Sequence, residues 1–186
     1  QCDLSLLTAP SHTILSGISA GDLDLGIAAA PRDLPEGLLE VPLLRDPFVL
    51  VTPRGHLPHN PQSIEELGRL PFLRYERSQL IARQIATHLA RLKCAPEGRV
   101  ELDSNQAIFG LIASGAGWAI STALGSLRAR RYQGQVDIYP LPFAAFSRRV
   151  SLFRPLDWQD EVGDIIARSL RGLLQVQVVT PGLALM

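Results

Sequence analysis

Asp22-Leu23-Asp24-Leu25-Gly26-Ile27-Ala28-Ala29-Ala30, closed by Pro31, is the stretch whose reading decides the fold. It is short and nearly continuously apolar, the pattern of a strand covered on both faces within a parallel sheet. Just before it, Ser11-His12-Thr13 is a helix start, and Ile14, Leu15 and Ile18 recur at helical spacing until Gly21 stops the helix. Ahead of that helix, Cys2-Asp3-Leu4-Ser5-Leu6-Leu7 reads as a further strand, so the first thirty residues read β-α-β.

After a loop from Pro31 to Gly37, the stretch Pro42 to Pro53 holds a second buried strand centred on Phe48-Val49-Leu50-Val51. Gly55 to Pro61 is a surface connection, and Ser63-Ile64-Glu65-Glu66-Leu67 offers a capping box for one short turn of helix. The rhythm changes near residue 71. Pro71 to Tyr75 is a brief strand, and Ser78 is the expected N-cap of a helix with Ile81, Ile85, Leu89 and Leu92 on one stripe. Val100-Glu101-Leu102 is a strand, and Ser104 or Asn105 caps a helix carrying Ile108, Leu111 and Ile112 that ends at Gly115. A strand follows through Ser121, then a short helix from Leu124 to Arg131 and strands at Val136–Tyr139 and Val150–Phe153. Asp157 is the expected cap of a last helix that turns Val162, Ile165, Ile166, Leu170, Leu173 and Leu174 inward. Alternating strands and helices with short links imply an α/β fold of mostly parallel sheets covered by helices, in two lobes. Residues 1–70 read as part of a first lobe, 71–140 as a second, 141–175 as a return to the first and 176–186 as a tail.

Composition narrows the function. Eighteen basic residues balance eighteen acidic ones, so no excess of positive charge marks the chain for gripping phosphates. The basic clusters Arg128, Arg130, Arg131 and Arg148, Arg149 read as solvated faces. Cys2 and Cys94 lie far apart without a CxxC, which argues against a metal site or disulfide framework and for a reduced compartment. No apolar run approaches the roughly 18–20 residues of a membrane-spanning helix. Hydrolase, P-loop and dinucleotide motifs are missing, and His12, His56, His59 and His88 stand apart from any paired nucleophile. No catalytic residue, metal or cofactor is therefore expected.

Four stretches together resemble the effector-binding (substrate-binding) domain of LysR-type transcriptional regulators. They are Ala20 to Ala28, Pro42 to Val51, Val100 to Ser104, and Leu111-Ile112-Ala113-Ser114-Gly115-Ala116-Gly117-Trp118-Ala119-Ile120. The resemblance implies the two-lobed fold of the periplasmic binding proteins (type 2), a small anionic effector such as a carboxylate bound between the lobes, a homodimer or tetramer, and a cytoplasmic location. Operator DNA would be reached only through a winged helix-turn-helix and linker helix, absent from this sequence. Also absent is the strand and helix that ordinarily precede the stretch matching Asp3 to Leu7, so the first lobe is expected to lack its first strand and helix. Carried over from the family, effector contacts fall on Ser11, His12, Ala29, Ala30, Tyr75, Ser78 and Gln79; Trp118 and Phe109 could line the cleft but read more often as core, and Arg74 reads equally as an anion partner or a solvated arginine. Hydroxyls beside free helix N–H groups suit a carboxylate; equally, Ser11 and Ser78 read as plain N-caps. Rival readings are a periplasmic-type solute-binding protein and an enzyme on the same scaffold.

Overall fold

The structure, a computed structural model, describes residues 4–98, 100–158 and 162–174. Helix α1 (Ser11–Ala20) ends on Gly21, whose left-handed backbone (φ 79°) lets its N–H return to the carbonyls of Gly17 and Ile18. The chain then enters β1 (Gly26–Ala29) directly beneath α1. A Cβ on Gly26 would lie 2.3 Å from Ile14 Cγ2, so glycine is what allows the helix to seat on the strand. Leu15, Ile18, Ala28, Ala30, Leu38 and Phe153 close a first, small core.

The next strand, β2 (Leu38–Pro53), is 16 residues long, about 50 Å at ~3.3 Å per residue, and it belongs to both halves of the molecule. Leu38 sits in the small core, whereas Phe48, Val49, Leu50 and Val51 are at the centre of a second, larger one. Strand β7 (Ser147–Pro155) runs antiparallel along β2 from Leu38↔Pro155 to Pro47↔Ser147, with a bulge between Pro42 and Leu44, and its other edge carries β1. Beyond Pro47, β2 is flanked by β5 (Ala119–Thr122) and β6 (Val136–Tyr139). A parallel pair, β3 (Leu73–Tyr75) and β4 (Val100–Leu102), joins through the Phe72–Trp118 bridge. Helices α2 (Leu80–Arg91), α3 (Asn105–Ala113) and α4 (Ala123–Arg128) surround the larger core, and α5 (Val162–Leu174) packs on β2. This is a two-lobed α/β fold.

Several expectations need correction. The sheets are mainly antiparallel: every described pairing of β1, β2, β5, β6 and β7 is so, and β3–β4 is the parallel ladder. A short apolar strand does not encode its partner's direction, and β7, more than a hundred residues downstream, inserts between β1 and β2. Leu4 to Leu7 form no strand and lie exposed, because no neighbouring strand offers them an edge among the described residues. The N-cap of α2 is Gln79, not Ser78, and Asp157 lies in a turn several residues before α5. On α5, Ala167 is buried, whereas Ile165 and Leu173 face solvent. The expected inward side chain of Val162 and the tail 176–186 fall outside the described residues.

Where β2 passes from one core to the other, it carries a buried charge. Asp46, 1% exposed, accepts from Arg148 Nε on β7 (2.9 Å) and from the Leu124 N–H at the start of α4 (2.9 Å). Arg148 also donates to Thr122 Oγ1 (3.2 Å), so this arginine is a structural cation and not part of a solvated face. Next to it, Arg149 and Glu40 form a far more exposed pair. Removing one partner of a buried pair strands the other charge, at about 3–5 kcal/mol, whereas exposed pairs contribute about 0–1 kcal/mol. Urea denaturation should therefore show Asp46→Ala losing about 3–5 kcal/mol and Arg149→Ala less than about 1 kcal/mol; equal losses would remove Asp46 from this role.

Candidate functional site

The residues expected to hold a ligand come from both sides of the β2–β7 crossing, and most are already engaged within the chain. Ser11 opens α1 and accepts the Ala29 N–H on its hydroxyl (3.3 Å), tying the helix start to the end of β1. Ala29 and Ala30 are buried, and the Ala30 N–H donates to the Arg149 carbonyl (2.9 Å). On the other side, Ser78 donates both its hydroxyl and its N–H to the Glu76 carboxylate, the latter at 3.0 Å. The donors predicted to take a ligand carboxylate thus hold one of the chain's own. These two hydrogen bonds keep the Glu76 carboxyl below the usual carboxylate range, with a smaller contribution from His12. His12 of α1 and Glu76, from opposite cores, therefore sit within electrostatic reach of each other. Gln79 donates through Nε2 to the Asp103 carbonyl (2.7 Å).

Tyr75 faces inward. Its hydroxyl donates to Asn105 Oδ1 (2.6 Å) and lies 2.8 Å from Ser121 Oγ, while Asn105 Nδ2 donates to the Gly125 carbonyl. Burial pushes the Tyr75 phenol up to about 12. Trp118 does not line a cleft: it is 2% exposed, packs against Phe72 and donates from Nε1 to the Leu70 carbonyl (3.1 Å). Phe109 is likewise core. The loop histidines His56 and His59 lie against the Leu67 carbonyl and the Glu66 carboxylate, and no group of three metal-ligating side chains occurs among the described residues.

What the sequence reading missed is a recess of about 790 Å³ between the two cores, which among the expected residues Ala30 alone lines. Its walls are the turn after β1, the crossing segments of β2 and β7, and one face of α2. Arg32, Arg45, Arg83, Arg91, Arg148 and Arg149 line it, against a single acid, Asp33. Six of the chain's eighteen basic residues are thus gathered here although the whole chain is neutral. Arg148 and Arg149 are paired with Asp46 and Glu40; Arg32, Arg45 and Arg91 make no ion pair among the described residues. Aromatic stacking supports the floor: Phe146 lies between Phe48 (4.0 Å) and His88 (3.9 Å). The signal available in the sequence was the spacing Arg83, His88, Arg91 on α2, but only tertiary contact places it opposite Arg32 and Arg45.

A sequence profile described as the LysR substrate binding domain matches residues 1–159. The chain belongs to the LysR substrate-binding domain family. Solved structures of similar fold include the effector-binding domain of QuiR in complex with shikimate (14% identity, TM-score 0.70, covering 88% of this chain and 77% of that one). Another is the regulatory domain of Synechocystis CcmR in complex with 2-PG (22% identity, TM-score 0.76, 92% and 83%). A third is a mutant of OxyR from Corynebacterium glutamicum (18% identity, TM-score 0.75), of which this LysR domain covers 54%. At such identities the likeness shows the fold alone. A "Probable hydrogen peroxide-inducible genes activator" from Streptomyces viridosporus is 39% identical over 56 residues, 30% of this chain and 18% of that protein, so the match spans under a fifth of the relative. No helix among the described residues is long and apolar enough to cross a membrane.

The Tyr75 network gives this LysR domain a testable pH signature. An unfolded tyrosine ionises near 10, whereas Tyr75 in the fold holds its proton to about 12. Its contribution is complete below pH 10 and is lost as pH rises towards 12, because the unfolded chain releases the proton first. Denaturant titrations from pH 9 to 12 should show a loss of up to about 3 kcal/mol that Tyr75→Phe abolishes, although that variant starts less stable at pH 7 by about 1–3 kcal/mol. An unchanged alkaline slope in the variant would mean that Tyr75 ionises freely.

Proposed function

We propose that this domain senses a small anion in the recess between its two cores and relays occupancy to the DNA-binding part of a LysR-type regulator in the cytoplasm. The observation that carries the reading is the excess of six arginines over one aspartate in a recess that both cores build. An anion there would neutralise Arg32, Arg45 and Arg91, whose mutual repulsion opposes approach of the two sides. Closure would then bend the β2–β7 crossing, a covalent and hydrogen-bonded route between the cores, in a hinge that shifts a population between open and closed forms. In this reading the lobes divide at the β2–β7 crossing, with Phe48 to Val51, Leu57 and Leu67 in the lobe of the larger core, and of the residues carried over from the family Ala30 lines the recess while Tyr75 stays behind it in the larger core. Glu76 is the acid that a ligand must displace to reach Ser78. Trp118 acts from behind, as core. Dimerisation and operator contact through a helix-turn-helix complete the proposal.

A thermal-shift panel tests it. Di- and trivalent carboxylates and phosphorylated acids, at matched ionic strength, are expected to raise Tm by roughly 5–10 °C at a hundredfold excess over Kd. Neutral polyols should not. In Arg45→Ala/Arg91→Ala the shift should collapse while the unliganded Tm stays close to wild type, because both side chains are exposed. A hit that stabilises wild type and double variant equally would place the effector elsewhere.

A further inference from the structure

Helix α2 has two differently built faces. Leu80, Arg83, Gln84, Thr87, His88 and Arg91 turn towards the arginine recess. Ala82, Ile85, Ala86 and Leu89 turn the other way, over β3 and β4, and there the helix does not fill the space beneath it. A slot of about 520 Å³ opens between α2 and the strands, within the ~300–1,000 Å³ range of small-ligand sites. Its inner wall is apolar, formed by Leu73, Ile85, Leu89 and Ile120, and Cys94 borders it.

The charges at its edge are not equivalent. Arg77 and Glu101 pair with each other at 2.7 Å, so both are satisfied. Arg74 is different: one terminal nitrogen donates to the Pro96 carbonyl (3.1 Å), but Nε is buried with no acceptor among the described residues. Buried polar groups are nearly always hydrogen-bonded, and a cationic N–H left without an acceptor is among the costlier exceptions. The guanidinium lies over the Phe72 ring (5.6 Å to its centre), which restricts its direction. A carboxylate is the group that satisfies a guanidinium edge best. The apolar wall and the nearby Glu101 disfavour a second negative charge.

We infer that this slot is a second ligand site, for a monocarboxylate with an apolar body, its head on Arg74 and its tail against Ile85, Leu89 and Ile120. The site is separate from the arginine recess: the two share α2 but none of its side chains. It therefore stands whether or not the recess binds an effector.

Octanoate is a suitable probe and octanol its neutral control, both below the concentration at which they self-associate, on the full 186-residue chain carrying Cys2→Ser. Calorimetry should give saturable one-to-one binding of octanoate and at least tenfold weaker binding of octanol. Filling the slot should slow alkylation of Cys94 by a maleimide several-fold. Arg74→Gln is expected to weaken octanoate binding about ten- to a hundredfold, the loss of one charge-assisted contact, while leaving octanol binding unchanged. Ala86→Phe, at the solvent-open rim of the slot, should block both probes and keep the native circular dichroism, so the site remains testable even if Arg74→Gln does not fold. Arg45→Ala/Arg91→Ala should bind octanoate like wild type. Octanoate that leaves Cys94 unprotected, binds Ala86→Phe normally, or is matched by octanol would overturn the assignment.

Discussion

The β2–β7 ladder is the element on which both halves of this domain depend. One strand of 16 residues contributes Leu38 to one core and Phe48 to Val51 to the other, and its partner runs beside it through the crossing. At the crossing itself the ladder is bulged and carries Asp46, a carboxylate with almost no access to water. Such a group is tolerable only because Arg148 and the Leu124 N–H meet it. The same contacts attach the start of α4 to the ladder, so a change in the crossing would be felt within the larger core.

Charge in this protein is distributed by side-chain position and not by overall composition. Electrical neutrality of the whole chain coexists with a recess that is strongly cationic, because acids are placed elsewhere: Glu66 closes a capping box with Ser63 beside Glu65, and Glu101 holds Arg77. Helix α2 sharpens the segregation, cationic on the face towards the recess and alanine-rich on the face towards the slot. A helix of this kind separates two chemically distinct spaces with one wall.

Much of the fold was legible. Gly21 acted as read, ending α1 in a left-handed turn, and Gly26 admits the helix to β1. The capping box at Ser63 and Glu66 formed as spaced, and Ser104 caps α3 through the Ala107 N–H. The candidate site was legible only in part. Ser11 and Ser78 lie near helix starts but cap neither helix, since the N-caps are Pro10 and Gln79; their partners are Ala29 and Glu76, and a hydroxyl does not announce which acceptor or donor will reach it. Arg148 was misread because a run of two arginines resembles a solvated surface until Asp46, 102 residues away in the chain, lies opposite.

The sequence by itself determined the family, the α/β class, and most helix and strand positions, because these follow from periodicity, capping and glycine placement within a dozen neighbouring residues. Only the tertiary structure decided strand direction, the arginine recess and the slot beside Arg74. Each of those depends on which segments distant in the chain come to lie side by side, and the free energy of a buried charge or an unfilled space is set by those neighbours and not by the residue itself.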